Sequence, residues 1–213
     1  MSEPKTQPRT QTLDSREALI EAAKRVFAIK GYEGATVKDL SDAAGVNVSL
    51  VSYHFGGKEG LYRTCLTNFG EVHVELLERL LGQVRSKEDF ALRLRLFAEE
   101  LVAIHHRESD ICRIIFRGME SLDPITTDVF KKVFYRIFEA LHKFMRSAQT
   151  AGIIRDDLDP ELVSCFMFGS LLDLLRAQEV IRLFGRKTLD DVDYRSVVIE
   201  TWVSCFTNGI YVN

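Results

Sequence analysis

The 213-residue chain is 46% hydrophobic and 28% charged, which suits a soluble protein with a sizeable core, built as one large domain or as a small one fused to a larger. A net charge of −3 excludes a protein coated in basic surface, and no run of about 18 apolar residues offers a membrane span. The polar stretch from Met1 to Thr12 lacks the apolar core of a secretory signal.

Residues 1–12 read as a flexible arm, because Pro4 and Pro8 oppose a helix and no apolar residue after Met1 can anchor one. Lys5 and Arg9 are then either part of a solvated tail or contacts to DNA. From Asp14 the pattern is helical, with Leu19, Ala22, Ala23, Val26 and Phe27 on one face and Gly31 placed to end the helix in a left-handed cap. Thr36 opens the second helix with Asp39 three residues on, a variant capping box, and Val37, Leu40, Ala43 and Ala44 face inward. Gly45 makes a turn, and Asn47 is a suitable N-cap for a third helix that points Val51 and Phe55 at the core. Two short helices joined by a glycine turn form a helix-turn-helix, a unit whose second helix fits the major groove of DNA. The first 63 residues carry a slight basic balance and the remainder an acidic one, the sign expected of a DNA-binding head on an acidic body.

Gly56-Gly57 breaks the chain, and Lys58 starts a long helix striped with Leu61, Tyr62, Cys65, Leu66, Phe69, Val72, His73, Leu76, Leu77, Leu80 and Leu81, a rod of roughly 36 Å. The spacing predicts helices over 87–106 and 110–119, then one from Pro124 to about Ala151 closed by Gly152, and one from Pro160 to about Phe184. A last helix starts at Asp190 or Asp193 and ends near Gly209. With no strand candidate and no repeat, the fold class is all-α with about nine helices. The expected division is an arm at 1–12, a helix-turn-helix head at 13–57 and a helical body at 58–213, whose connecting helix covers 58–82. Cys65, Cys112, Cys165 and Cys205 lie far apart without a Cys-x-x-Cys pair. That spacing fits reduced, mostly buried thiols in a cytoplasmic protein, with a redox sensor built from two of them as the alternative.

The segment from Asp14 to Leu66 resembles the amino-terminal DNA-binding domain of the tetracycline-repressor (TetR) family of bacterial transcription regulators. The matching blocks begin with Ala22-Ala23-Lys24-Arg25-Val26-Phe27 leading to Lys30-Gly31-Tyr32. They continue with Ala35-Thr36-Val37, Ala43-Ala44-Gly45-Val46, Tyr53-His54-Phe55 and Lys58-Glu59-Gly60-Leu61-Tyr62, in the family's order and spacing. The carboxy-terminal part has the family's length and run of helices but no matching motif. The resemblance implies a homodimer whose recognition helices enter successive major grooves of a double-stranded DNA operator. It also implies a ligand-binding and dimerisation body, and in most members a repressor that leaves the operator when a small-molecule effector binds; a minority activate.

Within the head, Thr36 caps the second helix or also meets a phosphate, and Lys38 reaches a phosphate or a base edge or is merely solvated. Asn47, Val48, Ser49 and Leu50 begin the recognition helix, where bases are read. Val48 and Leu50 depart from the polar, basic or threonine-like residues frequent in the family, as Ser52 departs from its frequent aromatic. If they face the groove they pack on thymine methyls, and methyl contact and DNA shape then carry much of the sequence discrimination; Leu50 is alternatively part of the core. The resemblance implies phosphate contacts for Tyr53 and His54, with a helix cap as the other reading of His54. Lys58, at the start of the next helix, is placed to share one phosphate with the helix amino terminus.

The body is rich in phenylalanine, 14 in the whole chain. Phe69, Phe97, Phe116, Phe134, Phe138 and Phe166, with His73 as a polar anchor, are candidates to line a cavity for a hydrophobic or aromatic effector, or are simply core. The stretch from Leu162 to Leu175 is apolar nearly all round and the last helix is similar, so Phe166, Gly169, Ser170, Leu171, Leu174, Val198, Trp202 and Phe206 are candidates for a dimer interface across a two-fold axis. No enzyme, cofactor or metal is expected. The acidic runs Glu99-Glu100 and Asp156, Asp157 and Asp159 read as a solvated face and a loop, and His105, His106 and Cys112 have no metal-site spacing. A helical interaction module that does not bind DNA is the competing class, and steep salt dependence of duplex binding separates the two.

Overall fold

The computed structural model describes residues 9–210, which are helices joined by short turns with no strand among them. Helix α1 (Arg9–Gly34) starts ahead of the expected Asp14, so residues 9–12 of the anticipated arm are helical, while residues 1–8 of it lie outside the described residues. The helix is interrupted at Gly31, whose φ of 73° and ψ of 173° break the ladder close to where the sequence pattern ends. Helices α2 (Val37–Ala44), α3 (Ser49–Phe55) and α4 (Lys58–Leu80) follow. Then come α5 (Lys87–Arg107), α6 (Ser109–Glu120) and α7 (Pro124–Val129). A π-helical turn, Phe130–Phe134, joins α7 to α8 (Tyr135–Thr150), so the single helix expected here is regular only in parts. The expected helix to Phe184 likewise breaks, giving α9 (Pro160–Arg176) and α10 (Gln178–Leu183). The last, α11 (Val192–Ile210), starts beside Asp191, whose Oδ1 accepts the Tyr194 N–H at 2.9 Å, so Asp191 supplies the cap sought at Asp190 or Asp193.

Among the described residues these helices form two compact units, one within residues 9–71 and 108–133 and the other within residues 72–107 and 134–210. The parting does not fall at the 57/58 boundary, because α6 and α7 pack with the head. In the first unit Leu19, Ala22, Ala23 and Phe27 of α1 are buried together with Leu40, Val51, Leu61 and Leu66. Lys24 bridges to Glu108 at 3.3 Å, and the Tyr62 hydroxyl meets Thr126 Oγ1 at 3.0 Å. Cys65 and Cys112 are buried here, and loss of hydration pushes both thiols up to about 12.

In the second unit Phe90 of α5 stacks on Phe144 of α8 with centroids 4.9 Å apart. Leu94, Phe97, Leu141, Met145, Met167, Leu171 and Leu175 complete a core of interlocked apolar faces. Trp202 of α11 donates its indole N–H to Ser170 Oγ of α9 at 3.0 Å, which satisfies the one polar atom of a nearly buried ring. Cys165 and Cys205 are exposed on α9 and α11.

Candidate DNA interface

The entry to α2 is fixed by a reciprocal cap. Asp39 N–H donates to Thr36 Oγ1 at 3.1 Å, while the Thr36 N–H donates to Asp39 Oδ2 at 2.9 Å. Lys30 adds an ion pair to Asp39 at 2.7 Å. The Lys30 ammonium, then the Thr36 donors, hold the Asp39 carboxyl down at about 2. The helix ends at Gly45, whose φ of 66° and ψ of 31° place it in the left-handed region that closes a helix and that costs glycine nothing.

Asn47 then does for α3 what the sequence expects, one residue ahead of the geometric cap Val48. Its Oδ1 accepts the Ser49 N–H at 2.9 Å and the Ser49 hydroxyl at 2.8 Å, which leaves the Asn47 amide donors pointing away from the helix ladder. Val51 is fully buried beneath α3. Val48 is 50% and Tyr53 is 74% exposed, with Ser49 and Ser52 exposed between them and Leu50 partly covered. The exposed face is therefore Asn47, Val48, Ser49, Ser52 and Tyr53. Ser52 was not among the sequence candidates, although it lies three and four positions from Ser49 and Val48, the spacing of one helix face.

Thr36 and Lys38 are exposed on α2. His54 and Lys58 are turned to internal work. The His54 ring nitrogen Nε2 lies 3.2 Å from Ser15 Oγ, which ties α3 to α1. The Lys58 ammonium donates to the carbonyls of Tyr32 at 2.9 Å and Ala35 at 3.1 Å and lies 4.4 Å from the centroid of the Tyr32 ring. In this structure the Lys58 charge, expected at a phosphate, closes the turn between α1 and α2 by satisfying two carbonyls there. At the far end of α3, a Cβ on Gly60 would lie 1.8 Å from the Phe55 carbonyl oxygen, so only glycine lets α4 begin this close to α3.

The candidates in the body divide. Phe69 and Phe116 belong to the first unit, and His73, Phe97, Phe134, Phe138 and Phe166 to the second. Phe97 and Phe134 are core side chains. Phe168 gathers Phe138 at 4.8 Å and Phe97 at 6.2 Å. Phe166 is 66% exposed on the outer side of α9, which turns Met167, Phe168 and Leu171 inward. Among the dimer candidates Leu171 and Trp202 are buried within the chain and do not belong to an outer face. Gly169, Ser170, Leu174, Val198 and Phe206 are partly covered. The outward large apolar residues of α9 and α11 are Leu162, Phe166, Val192 and Val197.

Comparison with known proteins places both halves. A model of bacterial regulatory proteins of the tetR family matches residues 19–65, and one of the tetracyclin repressor-like C-terminal domain matches residues 87–176. The transcriptional repressor AcnR of Corynebacterium glutamicum is 47% identical over 36% of this chain and 44% of its own length. The transcriptional repressor DhaR of Mycobacterium sp. strain GP1 is 28% identical over 87% of this chain and 90% of its own. The chain spans half or less of the length of AcnR and of other curated relatives matched in part. The ketosteroid transcriptional regulator KstR2 of Mycobacterium tuberculosis has the same fold, with a TM-score of 0.71 at 19% identity over 97% of this chain and 98% of that one.

Proposed function

Because this chain belongs to the tetR family of bacterial regulatory proteins, we propose that it is a sequence-specific DNA-binding transcription regulator, a homodimer, and a repressor released from its operator by a small hydrophobic or aromatic effector. As a family member it is a regulatory protein and not an enzyme. The observation that carries the reading is the open face of α3, capped through Asn47 and seated on buried Val51, with its polar and small side chains directed outward. Such a face can enter a major groove as a rigid unit. The free amide donors of Asn47 and the hydroxyls of Ser49 and Ser52 meet base edges, and Val48 packs on a thymine methyl. Thr36, Lys38 and the Tyr53 hydroxyl meet phosphates, which set register and supply salt-dependent affinity. His54 and Lys58 act one step back, by holding α3 and the α1–α2 turn in place.

The relatives AcnR and DhaR, both named as repressors, support that sign of regulation. The partner copy pairs through Leu162, Phe166 and Val197, which are among the outward apolar residues of α9 and α11. The effector enters the second unit beside Phe97 and Phe138, whose rings meet Phe168. It lowers operator affinity by binding the DNA-incompetent conformer better than the competent one, and only by that difference. No helix among the described residues is long and apolar enough to cross a membrane, which suits action on DNA in the cytoplasm.

The test is selection of bound sites from random duplexes, followed by titration of the selected duplex with salt. A selected half-site repeated about one helical turn apart, bound with an affinity that falls steeply as salt rises, is the expected result. Recovery of random sequence with a flat salt response would assign the chain to protein interaction instead.

A further inference from the structure

We infer that a cleft inside the first unit, between the carboxy-terminal end of α1 and the corner joining α6 to α7, is a binding site for a small aromatic carboxylate. The site stands on its own geometry; its regulatory consequence rests on the DNA-binding reading above. The cavity measures about 440 Å³, within the size range of small-molecule sites. Three rings form its apolar wall. Phe27 meets Tyr62 edge to face at 4.9 Å, and Tyr32 lies 4.8 Å from Tyr62. The Tyr62 hydroxyl is already engaged by Thr126 Oγ1, and burial pushes it up to about 12, so this residue offers a neutral ring rather than a phenolate.

Among the charged groups of the lining, two stand at the exposed rim without an ion pair among the described residues. Lys30 is held by Asp39. Asp123 accepts the Thr126 N–H at 3.0 Å, the Ile125 N–H at 3.4 Å and the Thr126 hydroxyl, and its charge is offset by the amino terminus of α7. Glu33 is exposed and screened by solvent. Arg117 of α6, as exposed as Glu33, is the other and the cation of the two, and a Cβ built on Gly31 would lie 3.4 Å from its Nη1. The guanidinium thus rests above a bare stretch of backbone at the edge of an aromatic pocket. A guanidinium fork takes a planar carboxylate through two parallel hydrogen bonds, and the adjacent rings take an aryl group edge-on or offset-stacked.

The site also lies against the helix-turn-helix. Gly31 to Gly34 form part of the cleft, and the chain runs from there into Thr36 and the cap of α2, to which Lys30 is salt-bridged. An occupant of the cleft therefore bears on the entry to α2 directly, without passing through the second unit.

Phenylacetate is the probe, added to the full chain and followed by saturation-transfer NMR and calorimetry. Binding is expected with transfer between the ligand ring and the Tyr32 and Tyr62 ring protons. Arg117→Gln should weaken it about tenfold, the scale of losing a charge-assisted pair, while neutral 2-phenylethanol binds both proteins alike. Ser121→Trp at the exposed rim should block the cleft with the melting temperature kept. Equal phenylacetate affinity in Arg117→Gln and the parent overturns the site, as does a stronger signal from 2-phenylethylamine. Binding abolished by Phe138→Ala but not by Arg117→Gln would place the acid in the second unit and overturn it equally. Failure of the salt titration above would sink the DNA reading while leaving these outcomes unaffected.

Discussion

Thr36 and Asp39 show how local chemistry sets the geometry of the head. Each satisfies a backbone donor of the other, and Thr36→Ala is expected to cost about 1 kcal/mol of stability in urea unfolding, the ordinary worth of a helix cap. The pH dependence has a definite sign. Asp39 is held at about 2, below its ordinary value of 3.8, so its contribution is complete above pH 3.8 and is lost as pH falls through about 2. An NMR titration of the Asp39 carboxyl should therefore have its midpoint near 2 in the parent and move back toward 3.8 in Lys30→Met. The capping box and the Asn47 turn were legible in the sequence because all their partners lie within three residues. Lys58 and His54 were not, because Lys58 closes on carbonyls 26 and 23 residues away and His54 on a hydroxyl 39 residues away.

Among the elements, the junction of α3 with α4 is the tightest constraint on the recognition face. With the Phe55 carbonyl oxygen 1.8 Å from the place a methyl would occupy, Gly60→Ala forces backbone to move. It should cost on the order of 1–3 kcal/mol in chemical unfolding, as overpacking does, and weaken duplex binding beyond what the loss of folded protein explains. An unchanged duplex affinity in this variant would show that α3 is not oriented by α4. Helix existence and order were legible from apolar periodicity, but two breaks were not. The π turn at Phe130–Phe134 and the break between α9 and α10 fall inside runs of unbroken helical periodicity without an internal proline, so no local signal marks them. The nearly all-round apolar character of α9 and α11 likewise left open which side faces inward, and the core takes Leu171 of α9 and Trp202 of α11.

At the scale of the whole molecule, the core of the second unit and the proposed pairing of two copies are separable by mutation. Phe166→Glu places a charge on an exposed outer position, so the chain should keep its helical circular dichroism while sedimentation reports a monomer. Trp202→Ala removes a core ring and its bond to Ser170, and should lose about 3–5 kcal/mol of stability instead. A dimer that survives Phe166→Glu would move the interface away from α9. The two-unit organisation was not legible from sequence, because the packing of α1 on α6 joins segments about a hundred residues apart and no local pattern announces it.

The four thiols divide along the same line. Burial holds Cys65 and Cys112 protonated and out of reach, whereas Cys165 and Cys205 stand on α9 and α11 in the open. A maleimide dye added to native protein would therefore mark those two helices alone, with no engineering of the other cysteines. Its rate of attachment, followed across a dilution series, would become a clock for self-association.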